Sequence, residues 1–395
     1  MSSSSNQKSL LIILSVALIV VSSTFLISIF ARGYRLDTSG GFQLKVTGLL
    51  SVTSKPKLAS VYVNNLLTTA TDDTLNLAPG NYQIKITKDG YHSWEKNIQI
   101  KPELVNQIEA QLFRSSTELK PLTEHQIINP ISSSDATKIV YAVASSSAIS
   151  KEKGLYLMEL TELPLLMSRS SERLLFPSNT TIDWSKFNFE FSPDSKQILA
   201  TATDNSSIYL LSLDQNQNIN NLSDISPRLT QIKKEWQEDK EKIIKNKLVK
   251  IPLEIQSFIA TSSALLSFNA SEDKFVYQAA KNGQIPDLLP SPPPTQSTQF
   301  QQRNLIKNSY YVYDLKEDTN FLIGDSFLSQ ISWIPYSNNL LFIQNNQVQI
   351  CDYDATNYKT IYSNSTSPEL LLSTPDGYRL IISWDTLHSI TIKDR

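Results

Sequence analysis

The side chains that most often perform acid–base, thiol or metal chemistry are few in this chain. Its 395 residues include one cysteine and three histidines, at Cys351, His92, His125 and His388. A single cysteine cannot form an intramolecular disulfide or a cysteine-rich zinc site, and a three-histidine metal centre would need every histidine in the chain. We therefore expect no metal site and no cofactor, and we assign no catalytic, cofactor-binding or metal-binding residue.

Adjacent carboxylates are the remaining candidates for chemistry, at Asp72/Asp73 and Glu238/Asp239. Such pairs are usually structural, and glycosidase chemistry needs two carboxylates that face each other across a cleft. The chain also lacks the sequence patterns of serine hydrolases, P-loop proteins, dinucleotide-binding folds and zinc peptidases. These observations favour a protein that is not an enzyme.

The charge balance limits the possible partners. The chain has 36 Lys and Arg residues against 38 Asp and Glu residues, which gives a formal net charge of −2. A protein of this charge has no general electrostatic attraction for nucleic acid. We predict no nucleic-acid partner.

The N-terminal region contains an uncharged segment at residues 10–30, which is long enough to span a bilayer at roughly 31 Å. A cleaved signal peptide is the alternative, but its apolar region is shorter, and Ile29-Phe30-Ala31-Arg32 lacks a small-x-small cleavage site. The sequence thus predicts a cytoplasmic head at residues 1–9, a transmembrane anchor at 10–31, and a lipid bilayer as partner through residues 10–30.

Flanking charges leave the orientation nearly balanced, because Lys8 and the α-amine oppose Arg32 and Arg35, partly offset by Asp37. The short head cannot fold alone, whereas a large body follows the anchor. We therefore predict a single-pass protein of the cell membrane, with most of the chain outside the cytoplasm.

Residues 44–114 show short segments in which apolar residues alternate with polar ones. This pattern predicts strands with one buried face, and the intervening Asn, Pro, Gly and Asp residues predict hairpin turns. The predicted strands are Gly48–Ser54, Ala59–Asn64, Asp73–Leu77, Asn81–Thr87 and Lys96–Ile100. We expect a small antiparallel β-sandwich.

Four blocks of this region resemble the PEGA domain. They are Gly48-x-x-x-Val52-x-Ser54-x-Pro56, Val61-Tyr62-Val63-Asn64, Leu77-Ala78-Pro79-Gly80-x-Tyr82 and Lys88-x-Gly90-Tyr91. Asn64-Asn65 stands where the family usually has Asp-Gly. The resemblance implies a β-sandwich typical of prokaryotic envelope proteins and carries no catalytic residue. His92 and Trp94, in Gly90-Tyr91-His92-Ser93-Trp94, would form a ligand patch; the alternative, which is the commoner role of such rings, is that Tyr91 and Trp94 close the rim of a small core.

Residues 116–395 contain a repeated pattern of apolar strand, Ser/Pro/Asp-type turn, apolar strand and Tyr-rich strand. Its acidic or amide turn residues stand at positions 135, 194, 273, 338 and 376. The shortest step, from 338 to 376, is close to the roughly 40–45 residues of a four-stranded propeller blade. The longer steps must therefore contain insertions.

Two insertions are visible in the sequence. Residues 226–260 contain an amphipathic helix that is broken near Pro252 and that we expect to dock on its own domain, with a membrane or partner helix as the alternative. Its apolar stripe consists of Leu229, Ile232, Trp236 and Ile243. Residues 283–308 are rich in proline, which predicts a flexible or extended loop.

The repeats resemble the Ser-Pro-Asp-Gly type of β-propeller, related to WD-repeat and Tol-type propellers. Thr374-Pro375-Asp376-Gly377 and Ser192-Pro193-Asp194-Ser195 carry this resemblance. Five copies are visible, and six or more blades remain possible. The last copy has three strands, and we predict that residues 118–123 supply its fourth strand and close the ring. His125 and His388 would then lie near the closure.

The predicted fold is mainly β: a transmembrane helix, a PEGA-like sandwich and a propeller with a helical insertion. The function that follows is a membrane-anchored scaffold or binding protein of the bacterial cell envelope, in which the propeller rim binds protein or glycan partners. The alternative is an enzyme or small-ligand sensor with its site in the central channel. Clustered Asp, His and Arg side chains in the channel would favour that alternative.

Overall fold

The computed structural model describes residues 3–31, 34–37, 43–116, 118–144, 152–160, 171–213, 219–249, 251–287 and 298–394. The chain forms two compact units. One is built mainly from residues up to 112, and the other mainly from residue 113 onward.

The first unit begins with helix α1 (Ser3–Ala31), which is followed by the antiparallel hairpin of β1 (Tyr34–Asp37) and β2 (Gln43–Val46). The side chains of α1 are described only at residues 13–29, and within the described residues no helix has both the length and the apolar character needed to cross a bilayer. The expected transmembrane anchor at residues 10–31 is therefore not confirmed.

Seven strands form the sandwich of the first unit. They are β3 (Gly48–Lys55), β4 (Ser60–Val63), β5 (Leu66–Ala70), β6 (Asp73–Leu77), β7 (Gly80–Thr87), β8 (Trp94–Ile100) and β9 (Val105–Gln111). One sheet has the order β6-β3-β9 and the other has the order β5-β4-β7-β8. Alternate residues of these strands, such as Leu50, Val52, Ile84 and Ile86, are fully buried.

The sandwich differs from the predicted one in two respects. It is not fully antiparallel, because β3 and β9 pair in parallel, from Leu49 with Val105 to Lys55 with Gln111. These strands begin and end the domain, so the chain crosses to the other sheet between them. In addition, β5 and β9 were not predicted. No residue of β5 is buried, and β9 buries the polar Asn106 while exposing Val105, which hides the usual alternation.

The second unit begins with β10 (Leu119–Pro121), and two sheets follow it along the chain. Blade 1 consists of β11 (Ile128–Ser132), β12 (Lys138–Val143), β13 (Gly154–Glu159) and β14 (Ser171–Pro177). Blade 2 has three strands, β15 (Phe187–Phe191), β16 (Gln197–Ala202) and β17 (Ile208–Ser212). The predicted insertion then forms two helices, α2 (Leu229–Leu248) and α3 (Leu253–Ser262).

Three further sheets complete this unit. Blade 3 starts with β18 (Ser263–Phe268) and β19 (Lys274–Ala279); after the small hairpin of β20 (Gly283–Gln284) and β21 (Asn304–Leu305) it adds β22 (Tyr310–Asp314) and β23 (Thr319–Gly324). Blade 4 consists of β24 (Ser329–Trp333), β25 (Asn339–Gln344), β26 (Gln347–Asp352) and β27 (Lys359–Ser363). Blade 5 contains β28 (Leu370–Ser373), β29 (Arg379–Ser383) and β30 (Leu387–Thr391).

The fourth strand of blade 5 is β10, so the predicted ring closure is confirmed. Leu119 pairs with Ile390, and Pro121 pairs with His388. The first strands of the blades are the innermost, since β11 contacts both β15 and β28, and β24 contacts both β18 and β28. The unit is therefore a β-propeller, with five blades among its described residues.

The two helices lie between blades 2 and 3. Ile232 and Trp236 of α2 pack on Leu199 and Ile208 of blade 2. The buried side chains Ile251, Ile255 and Ile259 pack on a face of blade 3 formed by Phe275, Tyr277, Tyr311 and Tyr313. The predicted helix, its break near Pro252 and its docking on its own domain are thus confirmed. Ile243, which the predicted stripe includes, is instead 47% exposed.

The proline-rich insertion is only partly described. The β20–β21 hairpin occupies the two ends of the predicted loop, where an entirely extended or flexible segment was expected. The part of the prediction that falls on residues 288–297, which include four of its prolines, lies outside the described residues.

Candidate functional site

The five innermost strands of the propeller carry almost no ionisable side chain. Their sequences are INPIS, FNFEF, SALLSF, SQISW and LLLS. Glu190 is the one charged residue in these strands as the structure bounds them, and its carboxylate pairs with the Lys240 ammonium of α2 at 3.5 Å. Phe187, Phe189 and Phe191 are buried against blade 1. The innermost strands therefore lack an acid–base pair for chemistry.

Side-chain hydrogen bonds connect these strands from blade to blade. Asn129 in β11 donates its amide to the backbone carbonyl of Phe187 in β15 at 2.8 Å. The indole N–H of Trp333 in β24 donates to the carbonyl of Ser267 in β18 at 3.1 Å. Gln330, also in β24, bonds the backbone of the next blade at Glu369 and Leu371. These contacts fix the relative positions of the blades.

Asn129 and Gln330 share an unusual backbone position. Both have positive φ, at 50° and 51°, and both lie in bulges where the pairing register shifts by an extra residue. A bulge redirects a side chain out of the regular alternation of the strand. Here it allows each amide to reach the backbone of the adjacent blade.

The repeated turns explain three of the five acidic or amide turn residues of the repeated pattern, Asp135, Asp194 and Asp376. In three of them a hydroxyl donates to the carboxylate two residues later: Ser133 to Asp135 at 2.5 Å, Ser192 to Asp194 at 2.6 Å, and Thr374 to Asp376 at 2.5 Å. The same hydroxyl then accepts a backbone N–H from the following strand. These carboxylates therefore stabilise turns.

Blade 3 contains a charged cluster that the sequence did not reveal. The Lys274 side chain is 8% exposed, and its ammonium lies 3.0 Å from the Asp314 carboxylate and 3.3 Å from that of Asp273. Lys316 approaches Asp273 at 2.7 Å from the solvent side. Burial alone would raise the pKa of Asp273, but its hydrogen bonds with Lys316, Ser271 and Asn269 and the charge of Lys274 lower it well below its usual range.

The cluster is closed by an aromatic ring. The Lys274 ammonium lies 4.8 Å from the centre of the Tyr353 ring. Burial raises the pKa of Tyr353, and the carboxylates of Asp354, Glu317, Asp314 and Asp352 raise it further. Tyr353 therefore stays protonated. The Lys274 ammonium and the Asp314 carboxylate pair with each other inside the protein. The cluster is therefore a structural joint between blades 3 and 4.

A second polar cluster lies where blade 5 meets blade 1. The imidazole Nε2 of His125 is 3.1 Å from the Glu172 carboxylate, which also accepts the Tyr141 hydroxyl at 2.5 Å. Tyr141 stacks on Tyr156. Burial raises the pKa of Tyr141, and the hydrogen bond to Glu172 adds to the effect. The phenol is therefore neutral and positions Glu172.

His388 does not join His125 in this cluster. Its ring lies 6.0 Å from that of Trp384, and its Nδ1 is 3.2 Å from the carbonyl oxygen of Thr386. The two histidines near the ring closure therefore have different neighbours. Cys351 is fully buried, and burial raises the pKa of its thiol.

The other candidate residues are also placed in structural contacts. Trp94 is buried in the sandwich, and burial followed by the charge of Lys359 lowers the pKa of His92. Asp72 pairs with Lys57, and Asp73 accepts the Thr69 hydroxyl. Glu238 and Asp239 pair with lysines on the exposed face of α2. Within the described ranges, no group of three or more His, Cys, Asp or Glu residues is arranged to hold a metal ion.

Large apolar side chains are exposed on the connections of the propeller. Phe327 lies between blades 3 and 4 and is 75% exposed, while the adjacent Leu328 is buried and anchors the turn. Tyr336, in the turn between β24 and β25, is 71% exposed and follows the buried Ile334 and the half-buried Pro335. Each exposed ring thus lies close in sequence to a buried side chain that fixes the connection.

Comparison with known proteins identifies the first domain. Residues 47–116 match the PEGA domain family, close to the predicted range of 44–114. No curated protein shows significant sequence similarity to the chain.

Solved structures resemble the chain only weakly. One, described as a mitotic checkpoint complex, has 9% identity and a TM-score of 0.34, and covers 71% of this chain and 92% of its own. A Dos1 propeller has 9% identity and a TM-score of 0.30, with 69% and 94% covered. An acylaminoacyl peptidase from Pyrococcus horikoshii has 11% identity and a TM-score of 0.20, with 65% and 35% covered. Similarities of this size carry no functional information. The family match at residues 47–116 and the arrangement of the five blades show that the chain combines a PEGA domain with a β-propeller.

Proposed function

We propose that this protein is a membrane-anchored, extracytoplasmic scaffold or binding protein, whose propeller rim binds a protein or glycan of the bacterial cell envelope. The PEGA match supports the envelope assignment, because this family is typical of prokaryotic cell-surface proteins. The propeller belongs to the Ser-Pro-Asp-Gly type in this proposal, and its shared turns support that assignment.

The innermost strands provide the observation that carries the proposal. A catalytic site in the channel would need several inward-facing acids, bases or nucleophiles. Those strands offer Glu190 alone, and Lys240 already neutralises it. The buried clusters around Lys274 and His125 are engaged in contacts within the propeller. Binding through the rim is the function that remains well supported.

Exposed rings on rigid turns suit such binding. Aromatic residues contribute strongly to binding energy because they bury a large area and lose little conformational entropy. Phe327 and Tyr336 meet this description. We propose that the propeller binds through its rims at these residues, with Phe327 on the face where β24 begins and Tyr336 on the face where β24 ends.

The membrane anchor in this proposal is α1. Its described side chains are exposed along the whole of residues 13–28, and ten of them are large and apolar: Ile13, Leu14, Val16, Leu18, Ile19, Val20, Val21, Phe25, Leu26 and Ile27. Water is an unfavourable environment for such a surface, whereas lipid is a favourable one. This exposure supports the anchor and, with the large body that follows it, the extracytoplasmic location.

In-cell photo-crosslinking tests the binding role. A photo-reactive residue replaces Phe327 or Tyr336 in the full chain, and Lys196, in an exposed turn of blade 2, serves as the control position. We expect a discrete protein adduct from the rim positions, or binding to purified cell-wall glycan that Phe327→Ala weakens. The absence of both would contradict the proposal. Loss of cellular function in a folded Glu190→Gln variant would instead favour catalysis in the channel.

A further inference from the structure

Near its C-terminal end, α2 has part of its apolar face uncovered. The first half of the helix is fixed on blade 2 through Ile232 and Trp236, which are 4% and 7% exposed. Two turns further on, Ile243 and Ile244 are 47% and 37% exposed. The apolar face therefore extends beyond the sheet that covers it.

The turn between α2 and α3 adds two more exposed aliphatic side chains. Val249 is 73% exposed and Leu253 is 75% exposed. The turn itself is firmly held, because Ile251 is 3% exposed in the blade 3 cluster and its N–H donates to the Leu248 carbonyl at 2.9 Å. We refer to residues 242–249 and 251–253 as the helical tip.

The helical tip is strongly basic. Its described residues include Lys242, Lys245 and Lys247 and no acidic residue, in a chain whose net charge is −2. The Lys242 ammonium lies 3.1 Å from the Asp239 carboxylate, but both side chains are more than half exposed. Such a pair is screened by solvent and leaves most of the local positive potential in place.

We propose that the helical tip binds an anionic lipid surface. Aliphatic side chains that enter the boundary between headgroups and acyl chains, with lysines around them, are the features by which amphipathic helices bind membranes. Protein interfaces have a different composition, since they are depleted in lysine and enriched in aromatic residues and arginine. The described part of the tip has three lysines and four exposed aliphatic residues, with no aromatic residue or arginine, so its composition favours lipid over a protein partner.

This inference goes beyond the proposed anchor, because it concerns a second membrane contact that does not use residues 10–30. The two contacts also differ in chemistry. A spanning helix partitions into any bilayer of suitable thickness, whereas the tip requires negative headgroups and is weakened by salt.

An environment-sensitive fluorophore on the full-length chain tests the proposal. The label is attached to Leu253→Cys, and Phe327→Cys is the matched control, because both native side chains are 75% exposed. The native Cys351 is fully buried and will not be labelled. The protein is mixed with, or reconstituted into, vesicles of phosphatidylcholine alone or of phosphatidylcholine with phosphatidylglycerol. We expect a blue shift of the label at 253 only with phosphatidylglycerol, reversed by high salt, and no shift at 327.

Two variants separate the charge from the apolar contribution. Lys242→Gln with Lys245→Gln should weaken binding to the anionic vesicles about 10- to 30-fold, as expected for two lysines near such a surface. Val249→Ser should also weaken it, and neither change should alter the thermal melting of the propeller, because all three side chains are exposed.

Equal emission from the two labelled positions, or an equal shift with both kinds of vesicle, would overturn the proposal. A protein adduct from a photo-reactive residue at 253, without a lipid shift, would overturn it in favour of a protein partner. Flotation with phosphatidylcholine vesicles reports on the anchor separately. If the chain fails to float with these vesicles but shows the shift with phosphatidylglycerol, the proposed anchor is wrong and the proposed lipid-binding tip is supported.

Discussion

The side-chain amide of Gln330 bonds the innermost strand of blade 5 from its position in blade 4. Its Oε1 accepts the backbone N–H of Leu371 at 2.5 Å, and its Nε2 donates to the carbonyl of Glu369 at 2.9 Å. Both groups belong to the backbone near the start of β28. One side chain thus replaces the hydrogen bonds that a neighbouring strand would provide.

Loss of this side chain should destabilise the propeller. Gln330→Ala leaves one backbone donor and one backbone acceptor without these partners, which we expect to lower the free energy of unfolding by about 2 kcal/mol. Gln330→Glu keeps an acceptor and should have a smaller effect. Urea denaturation measures both. Gln237→Ala, on the exposed face of α2, is the control and should change stability by less than about 0.5 kcal/mol. Equal stability of Gln330→Ala and this control would exclude the bridging role.

Ring closure by β10 should be essential for propeller stability. A truncated chain that begins at Leu112 retains Phe113, which is buried in the cluster between blades 4 and 5, together with β10. A chain that begins at Glu124 lacks the strand that pairs with β30 and leaves this edge open. We expect the second chain to melt at least about 5 °C below the first. Equal melting temperatures would show that β10 contributes little to the ring.

The buried Lys274 should be required for the joint between blades 3 and 4. Lys274→Met leaves Asp314, which is 1% exposed, without its buried cation, and should cost about 3–5 kcal/mol in the free energy of unfolding. Lys316→Met is the matched control, since that lysine contacts the same cluster but its side chain is 72% exposed; it should cost less than about 1 kcal/mol. Lys274→Met combined with Asp314→Asn should regain much of the loss. Similar effects of the two single lysine changes would contradict this account.

The repeated turns should make stability depend on acidic pH. A hydrogen bond from Ser192 lowers the pKa of Asp194, so the folded protein binds a proton there less readily than the unfolded chain. The resulting stability is present above the unfolded pKa near 4 and is lost as pH falls through the lower folded pKa. Asp194→Asn and Ser192→Ala should both reduce this dependence. Denaturant titrations between about pH 6 and pH 2 measure it, and parallel curves for wild type and variants would refute the prediction.

Turn chemistry and strand periodicity are local features, and they could be predicted from the sequence. The Ser192-Pro193-Asp194-Ser195 turn and the ring-closing strand are examples, since each depends on neighbouring residues or on a missing strand in a repeat. The PEGA blocks were recognisable for the same reason. The strand at Leu66–Ala70 could not be predicted because it buries no side chain, and β9 could not be predicted because Asn106 occupies a buried position in it.

The polar joints could not be predicted, because they connect residues far apart in the sequence. Nothing near Lys274 indicates that Asp314 lies 3.0 Å away, and nothing near His125 indicates Glu172. For Gln330, the bulge that aims the side chain depends on the pairing of β24 with β25. An Asn or Gln inside an otherwise apolar first strand is the one signal that could have suggested such a contact.

Protease accessibility of the body in intact cells tests the central claim most directly. The full-length chain, compared with a chain that lacks residues 1–33, is followed by fractionation and by protease added outside the cytoplasmic membrane. We expect the full-length chain to stay in the membrane fraction after a salt wash, and its body to be digested without lysis of the cells. We expect the shortened chain to be released as a folded, soluble protein. A full-length chain found in the soluble fraction, or a body protected until the cells are lysed, would contradict the account.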